Sequence, residues 1–379
     1  MKRIIILCLS LALLLACVPT PEVEPIAQHA EAPKTEGITA EQFEVPTHIE
    51  LPAKGSGICS VAFDAAVDVP NGALFGISEV RQHSFTDEEL TALMRVFLND
   101  DMPVPAFSAR SADVSYVDDG QGGSFGVSRE QFIWFRDKTR YIMQLSGMDA
   151  SEKRKAQTPE IAREDAEREV AALLNRMGLE RFGIADAFTE PCAFMILDMP
   201  DGWGWRFICV PVVGNVPCVY ADGISFSRNT PPSIGAPWEY ERIEIAVREG
   251  GVAQFAWQFP AEYGEPTADG SMAPFETIVN NAQKQLLYMK AAYDFDTDLD
   301  TDKVVTVITV DSVRLIRGTV QIKDRFDVGQ NIPLWEIGYT EQYMKQDPVH
   351  LSICINAYDG TYVEPRMTYK CIMETFGNQ

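Results

Sequence analysis

The chain has few histidines, little basic charge and no long apolar run beyond its first residues. Four histidines in 379 residues leave little material for His-based catalysis or a multi-histidine metal centre. Lys and Arg number 32 against 55 Asp and Glu, a formal charge of −23. A phosphate backbone needs a concentrated basic face, so no nucleic acid is expected as a partner. HExxH, P-loop and GxGxxG patterns are absent, which removes the commonest metalloprotease and nucleotide-binding signatures. No motif calls for a cofactor. What remains is 46% hydrophobic, 10% aromatic and 23% charged, a globular composition long enough for two or three domains.

The N-terminus is the most informative part. Lys2 and Arg3 precede an apolar stretch over residues 4–16 broken only by Ser10. As a helix it reaches about 20 Å, short of the roughly 30 Å hydrocarbon core, so residues 1–16 read as a signal peptide rather than a membrane span. Leu14-Leu15-Ala16-Cys17 resembles the bacterial lipobox, in which a small residue precedes the cysteine to be lipidated; Leu15 is its least typical member. The resemblance implies that Cys17 becomes the mature N-terminus and carries a diacylglyceryl group, whose two acyl chains give a stable anchor. An ordinary secreted protein with a chance cysteine is the alternative. Cleavage removes two cations and takes the charge to −25, which anionic headgroups repel, so the lipid must do the anchoring. The expected location is the extracytoplasmic face of the cell membrane.

Residues 17–54 read as a tether: six prolines and seven glutamates with few large apolar side chains cannot bury enough surface to fold. Three folded stretches follow, an N-terminal α+β domain over 55–150 and two helix-plus-sheet domains over 151–270 and 271–379. In the first, Thr86-Asp87-Glu88-Glu89 forms a capping box with Phe85 and Leu90 as its staple. In the second, Thr158 is read as the cap, Pro159 as the first helical residue and Gly178 as the stop. Strand-rich segments follow, with Gly214-Asn215 as a two-residue hairpin loop. In the third, Pro274 opens a helix before another run of strands, closed by Asp359-Gly360. The sequence thus predicts an α+β fold of repeated units, one amphipathic helix packed on a mainly antiparallel sheet.

Candidate sites are sparse. His83 and His350 sit in polar surroundings and read as surface residues. Asp294, Asp296, Asp298 and Asp300 alternate in an acidic run that could collect a calcium ion, but an EF-hand loop starting at Asp294 would need Gly and Glu where Leu299 and Val305 stand. A solvated connector that discourages edge pairing is the plainer reading. Trp203, Trp205 and Trp257 fall in strands; exposed, they could stack on sugars or peptide side chains, and buried, they fill a helix–sheet interface. Cys59, Cys192, Cys209, Cys218, Cys354 and Cys371 have no zinc spacing and read as buried thiols by default, with disulfides open in an oxidising compartment.

The lipobox, the Pro/Glu tether, the TPE-initiated helix, the WRFICVPVVGNVPCVY hairpin, the IEIAVREGGVAQFAW strand pair and IPLWEIGY together resemble a family of uncharacterised surface lipoproteins from Gram-positive, clostridial-type bacteria. A more distant similarity extends to PepSY-like and YycH/YycI-type extracytoplasmic domains. That similarity implies partner binding and regulation of sensor kinases or proteases, although this chain carries a lipid signal in place of a transmembrane helix. The leading expectation is a non-enzymatic, lipid-anchored module that binds or regulates an envelope protein or peptide. A glycan- or solute-capturing lipoprotein and a carboxylate-dependent hydrolase are the alternatives.

Overall fold

The computed structural model describes residues 38–39, 45–56, 59–110, 113–137, 141–144, 148, 153, 155, 158–196, 199–219, 240–267, 272–293, 306–321, 328–344 and 347–363. The elements begin with β1 (Ile38–Thr39), β2 (His48–Ser56), β3 (Cys59–Asp68), β4 (Leu74–Phe75) and β5 (Ser78–Gln82). Helix α1 (Asp87–Phe97) leads to β6 (Ser115–Asp118), β7 (Ser124–Val127), β8 (Gln131–Phe135) and β9 (Tyr141–Gln144). Helix α2 (Arg163–Arg176) precedes β10 (Phe182–Ile184), β11 (Glu190–Ile196), β12 (Met199–Val213), β13 (Val216–Pro217), β14 (Arg242–Arg248), β15 (Gly251–Gln258) and β16 (Ala261–Tyr263). Helix α3 (Phe275–Tyr293) precedes β17 (Thr306–Gln321), β18 (Val328–Tyr343), β19 (Val349–Asn356) and β20 (Tyr362–Val363).

The fold is mixed α and β with mostly antiparallel sheets. Among the described residues, a ten-stranded sheet runs β6-β7-β8-β15-β14-β12-β11-β9, with β10 and β13 also on β12. An eight-stranded sheet runs β16-β5-β18-β17-β3-β2, with β19 on β18 and β20 on β19. Every pairing in them is antiparallel except β17 with β3. That exception joins the beginning of the chain to its end.

The strands of 55–150 are therefore divided: β3 and β5 lie in the sheet completed by 306–363, and β6–β9 in the sheet completed by 190–258. Residues between β5 and β16 form an insertion. The insertion leaves and returns at one place, because Gln82 opposes Ala261 and the His83 amide donates to the Pro260 carbonyl at 2.9 Å. An insertion closed at neighbouring strand ends leaves the host sheet intact. We call 83–260 the inserted unit and the remainder the outer unit.

The expected repeat of one helix per sheet does not form. In the inserted unit α1 and α2 share one sheet face, packing Leu90, Met94, Val170 and Leu173 against Phe125, Phe207, Ile245 and Phe255. Among the described residues of the outer unit, α3 alone covers a face, setting Ile278, Ala282 and Leu286 against Val61, Phe63, Ile308 and Val310. Surface to be covered decides the count: the wider sheet needs two helices to close its apolar face.

Local signals explain the element ends. Thr86 Oγ1 accepts from the Glu89 amide at 3.1 Å while Glu89 Oε2 accepts from the Thr86 amide at 2.7 Å, a complete capping box. Phe85 and Leu90 are both buried beside it. Helix α2 begins four residues after Pro159, with Ala162 at the cap and no side-chain bond there, so Thr158 is not its cap. Its C-terminus behaves as read: Gly178 sits at φ 67°, and the Leu179 amide reaches back to the Leu174 carbonyl at 2.9 Å. Gly214 and Asn215 both have positive φ, as a two-residue hairpin turn of the primed type requires. Strand β17 runs through Asp311 in one piece, kinked by a register shift between Val310 and Ser312.

Candidate functional site

The tether reading fails at its C-terminal end, where His48–Ser56 is strand β2 on the edge of the outer sheet. Ile49 and Leu51 alternate with exposed His48 and Glu50, the period-two pattern of a strand with one covered face. That alternation was the available signal, hidden by the prolines around it. Helix α3 lies over β3 rather than over β2, which leaves a gap beside the edge strand.

The gap is a half-open groove of about 720 Å³. Ile49 and Leu51 form one wall, Phe275 and Val279 of α3 the other, and Trp335 of β18 lies at its base. Pro274 fixes the entry to α3 and brings Phe275 edge-on to Trp335, with ring centroids 4.9 Å apart. Glu276 is the one ionisable side chain in the lining, at the first turn of α3. The arrangement offers apolar surface with a single charged handle, which suits recognition of an apolar segment. The paired carboxylates that glycoside hydrolysis requires are not found in it.

A second feature is polar and closed. Arg317 of β17 is fully buried in the outer unit. Its guanidinium donates to the carbonyls of Leu74 at 3.2 Å, Gly76, and Asn331 at 2.8 Å, and to Asn331 Oδ1 at 2.5 Å. Burial lowers its pKa to about 10. Asn331 Nδ2 faces the Cys218 sulfur at 3.6 Å, and the Val219 amide donates to the Arg317 carbonyl at 2.6 Å. The β12–β13 hairpin is pinned at its tip as well, Asn215 Nδ2 donating to the Gly72 carbonyl at 3.0 Å. Nearby, buried Glu241 takes both guanidinium nitrogens of Arg181, at 2.8 and 2.6 Å. Burial raises its pKa, and Arg181 opposes that shift. Of these contacts, those of Asn215, Cys218 and Val219 cross between the two units, while the Arg317 guanidinium bonds stay in the outer unit and the Arg181–Glu241 pair in the inserted one.

The tryptophans are half-buried and engaged inside the inserted unit. Trp205 Nε1 donates to the Ile161 carbonyl at 3.0 Å, and Trp257 Nε1 to Glu241 Oε1 at 3.0 Å. Trp203 packs with Met148, Ala193 and Met195. No shared stacking platform brings the three together. His83 lies between Glu89 at 2.9 Å and Glu262 at 3.2 Å, and His350 beside Thr340 at 2.9 Å. Cys59, Cys192, Cys209, Cys218 and Cys354 are buried. Burial pushes Cys209 up to about 12 and Cys218 up to about 11, so neither is a reactive thiolate. Cys17, Cys371 and the aspartates at 294, 296, 298 and 300 lie outside the described residues. Within the described residues no helix is long and apolar enough to cross a membrane, and no group of His, Cys, Asp and Glu is placed to hold a metal.

Comparison with known proteins defines the chain by fold. It matches an uncharacterised protein from Eubacterium rectale with a TM-score of 0.54 at 13% identity, over 84% of this chain and 94% of that one. The C-terminal domain of YpeB from Bacillus megaterium aligns with a TM-score of 0.30 at 12% identity, over 74% and 97% of the two chains. YycH from Bacillus subtilis aligns with a TM-score of 0.28 at 12% identity, over 76% and 57%. No family model and no curated protein matches the sequence.

Proposed function

We propose that this chain is a lipid-anchored extracytoplasmic module of the cell envelope, non-enzymatic, which binds another envelope protein or peptide in the groove between β2 and α3. The observation that carries the reading is the groove itself: about 720 Å³, walled by Ile49, Leu51, Phe275 and Val279 and charged only at Glu276. A site of that size and polarity suits binding, since apolar contact supplies affinity and one placed charge supplies orientation. The lipobox at Cys17 and the Pro/Glu-rich segment after it support the membrane attachment and a reach away from the surface.

Two measurements test this. Mass spectrometry of the mature N-terminus is expected to find Cys17 carrying a diacylglyceryl group; an unmodified N-terminus at another residue overturns the anchor. Affinity capture from native envelope compares the wild type with Ile49→Asp, folding being checked by circular dichroism. A partner enriched by the wild type and lost with the variant is expected. No partner above background, or one indifferent to Ile49→Asp, overturns the groove as the binding site.

A further inference from the structure

The groove has a second property that its lining alone does not reveal: one wall is the open edge of a sheet. Among the described residues β2 pairs only with β3. The Val67 amide donates to the Thr47 carbonyl at 2.9 Å, which sets the phase of that ladder. Bonded pairs alternate along an antiparallel ladder, so Ile49 and Leu51 turn their backbone groups toward β3. His48 and Glu50 turn theirs outward. Pro52 and Lys54 then guard the far end of the strand, as edge strands are commonly guarded. The stretch left open is short and lies beside the apolar groove.

We infer that the occupant of the groove is an extended segment of a partner protein, which adds to the outer edge of β2 as a further strand and carries apolar side chains at alternate positions and at least one Lys or Arg. The inference rests on the binding-module reading above and specifies its mode. Backbone groups of His48 and Glu50 supply the ladder. Side chains of an added strand on the same face stand about 5 Å from Ile49 and Leu51 and turn toward Phe275 and Val279. Charge argues for a cationic segment: Glu276 is the only ionisable group in the groove, and the whole chain carries −23. A helix would fill the apolar volume but would leave the outward N–H and C=O groups of β2 unused.

The test uses the full mature chain and four labelled synthetic peptides in fluorescence anisotropy at physiological salt. One alternates valine and lysine over ten residues, and one alternates valine and glutamate. A third has the valine–lysine composition with the valines clustered, and a fourth is an amphipathic helical peptide of leucine and lysine. The alternating valine–lysine peptide is expected to bind at least tenfold tighter than the other three. Glu50→Pro removes one outward donor and no bond to β3, and is expected to weaken that peptide at least tenfold with the circular dichroism unchanged. Glu276→Gln is expected to weaken it about threefold, the worth of one partly screened charge. Preference for the helical peptide, equal binding of the clustered peptide, indifference to Glu50→Pro, or silence from all four overturns strand addition. Envelope capture that still depends on Ile49 would in those cases leave the binding-module reading standing. Loss of that dependence removes the binding-module reading instead.

Discussion

The inserted unit and the outer unit are built from similar parts, yet the chain reaches them by different routes. Residues 83–260 form their sheet from strands that follow one another, with α1 and α2 supplied from the same stretch. The outer unit takes β2, β3 and β5 from one end of its sequence and β17–β20 from the other, and joins them through the parallel β3–β17 pair. Loop closure for the outer sheet therefore spans the whole insertion, whereas the inserted sheet closes over shorter loops. One unit can complete its core from a continuous segment. The other needs its two halves brought together, and the insertion itself holds them in place.

The largest expected effect comes from separating the parts. A fragment covering 83–260 is expected to unfold cooperatively as a unit, while a fragment covering 261–363 lacks β3 beside β17 and is expected to show no cooperative transition in urea. Cooperative folding of the second fragment would break the comparison. Next comes the joint. Arg317→Met leaves the carbonyls of Leu74, Gly76 and Asn331 without their buried donor and is expected to cost about 3–5 kcal/mol in denaturant unfolding. Loss confined to the transition that reports on Trp335 would assign Arg317 to the outer unit alone; loss shared with the inserted unit would make it a true link.

A smaller effect sharpens the contrast inside the inserted unit. Thr86→Ala removes the cap of α1 and is expected to cost about 1 kcal/mol. Burial pushes the Glu89 carboxyl up, but hydrogen bonds from the Thr86 backbone and His83 outweigh it and leave the pKa lowered. A carboxyl lowered on folding contributes stability above its unfolded value, and that contribution disappears as pH falls through the folded value. Stability measured from pH 6 downward is therefore expected to fall less steeply in Glu89→Gln than in the wild type. The smallest effect at neutral pH belongs to Cys209. Its pKa rises on folding from the ordinary 9.0 to about 12, so stability is intact below pH 9 and is lost as pH climbs toward 12. Cys209→Ala is expected to flatten that alkaline slope and to change nothing at pH 7 beyond the loss of the buried sulfur. A native protein that reacts with a thiol reagent at pH 8 as fast as the unfolded one would contradict the burial.

Much of the local structure was legible because its causes are local. The Thr86–Glu89 box, the positive φ at Gly178, the Gly214-Asn215 turn and the stripes of α1 and α3 depend on residues within a turn or two of one another. Even so, Thr158-Pro159 misled, since a capping residue followed by proline is also a plain turn, and the helix waits for Arg163. The groove was much less visible. Ile49 and Leu51 stand among prolines and glutamates that suggest a tether, and only pairing with β3 makes them part of a strand. Trp257 looked available for stacking until Glu241, itself paired with Arg181, took its indole N–H.

The sequence by itself determined the acidic character, the apolar stretch ahead of Cys17, the turns and most of the caps, and the helix and strand periods, all of which are set by composition or by neighbours along the chain. Tertiary structure alone decided that residues 83–260 are an insertion, that the first and last thirds share a sheet, and that β2 is the edge strand among the described residues, beside a groove. Those outcomes turn on which strands find each other across hundreds of residues. Such pairings are chosen by the total burial and hydrogen bonding of the finished sheets, to which no short stretch of sequence holds the key.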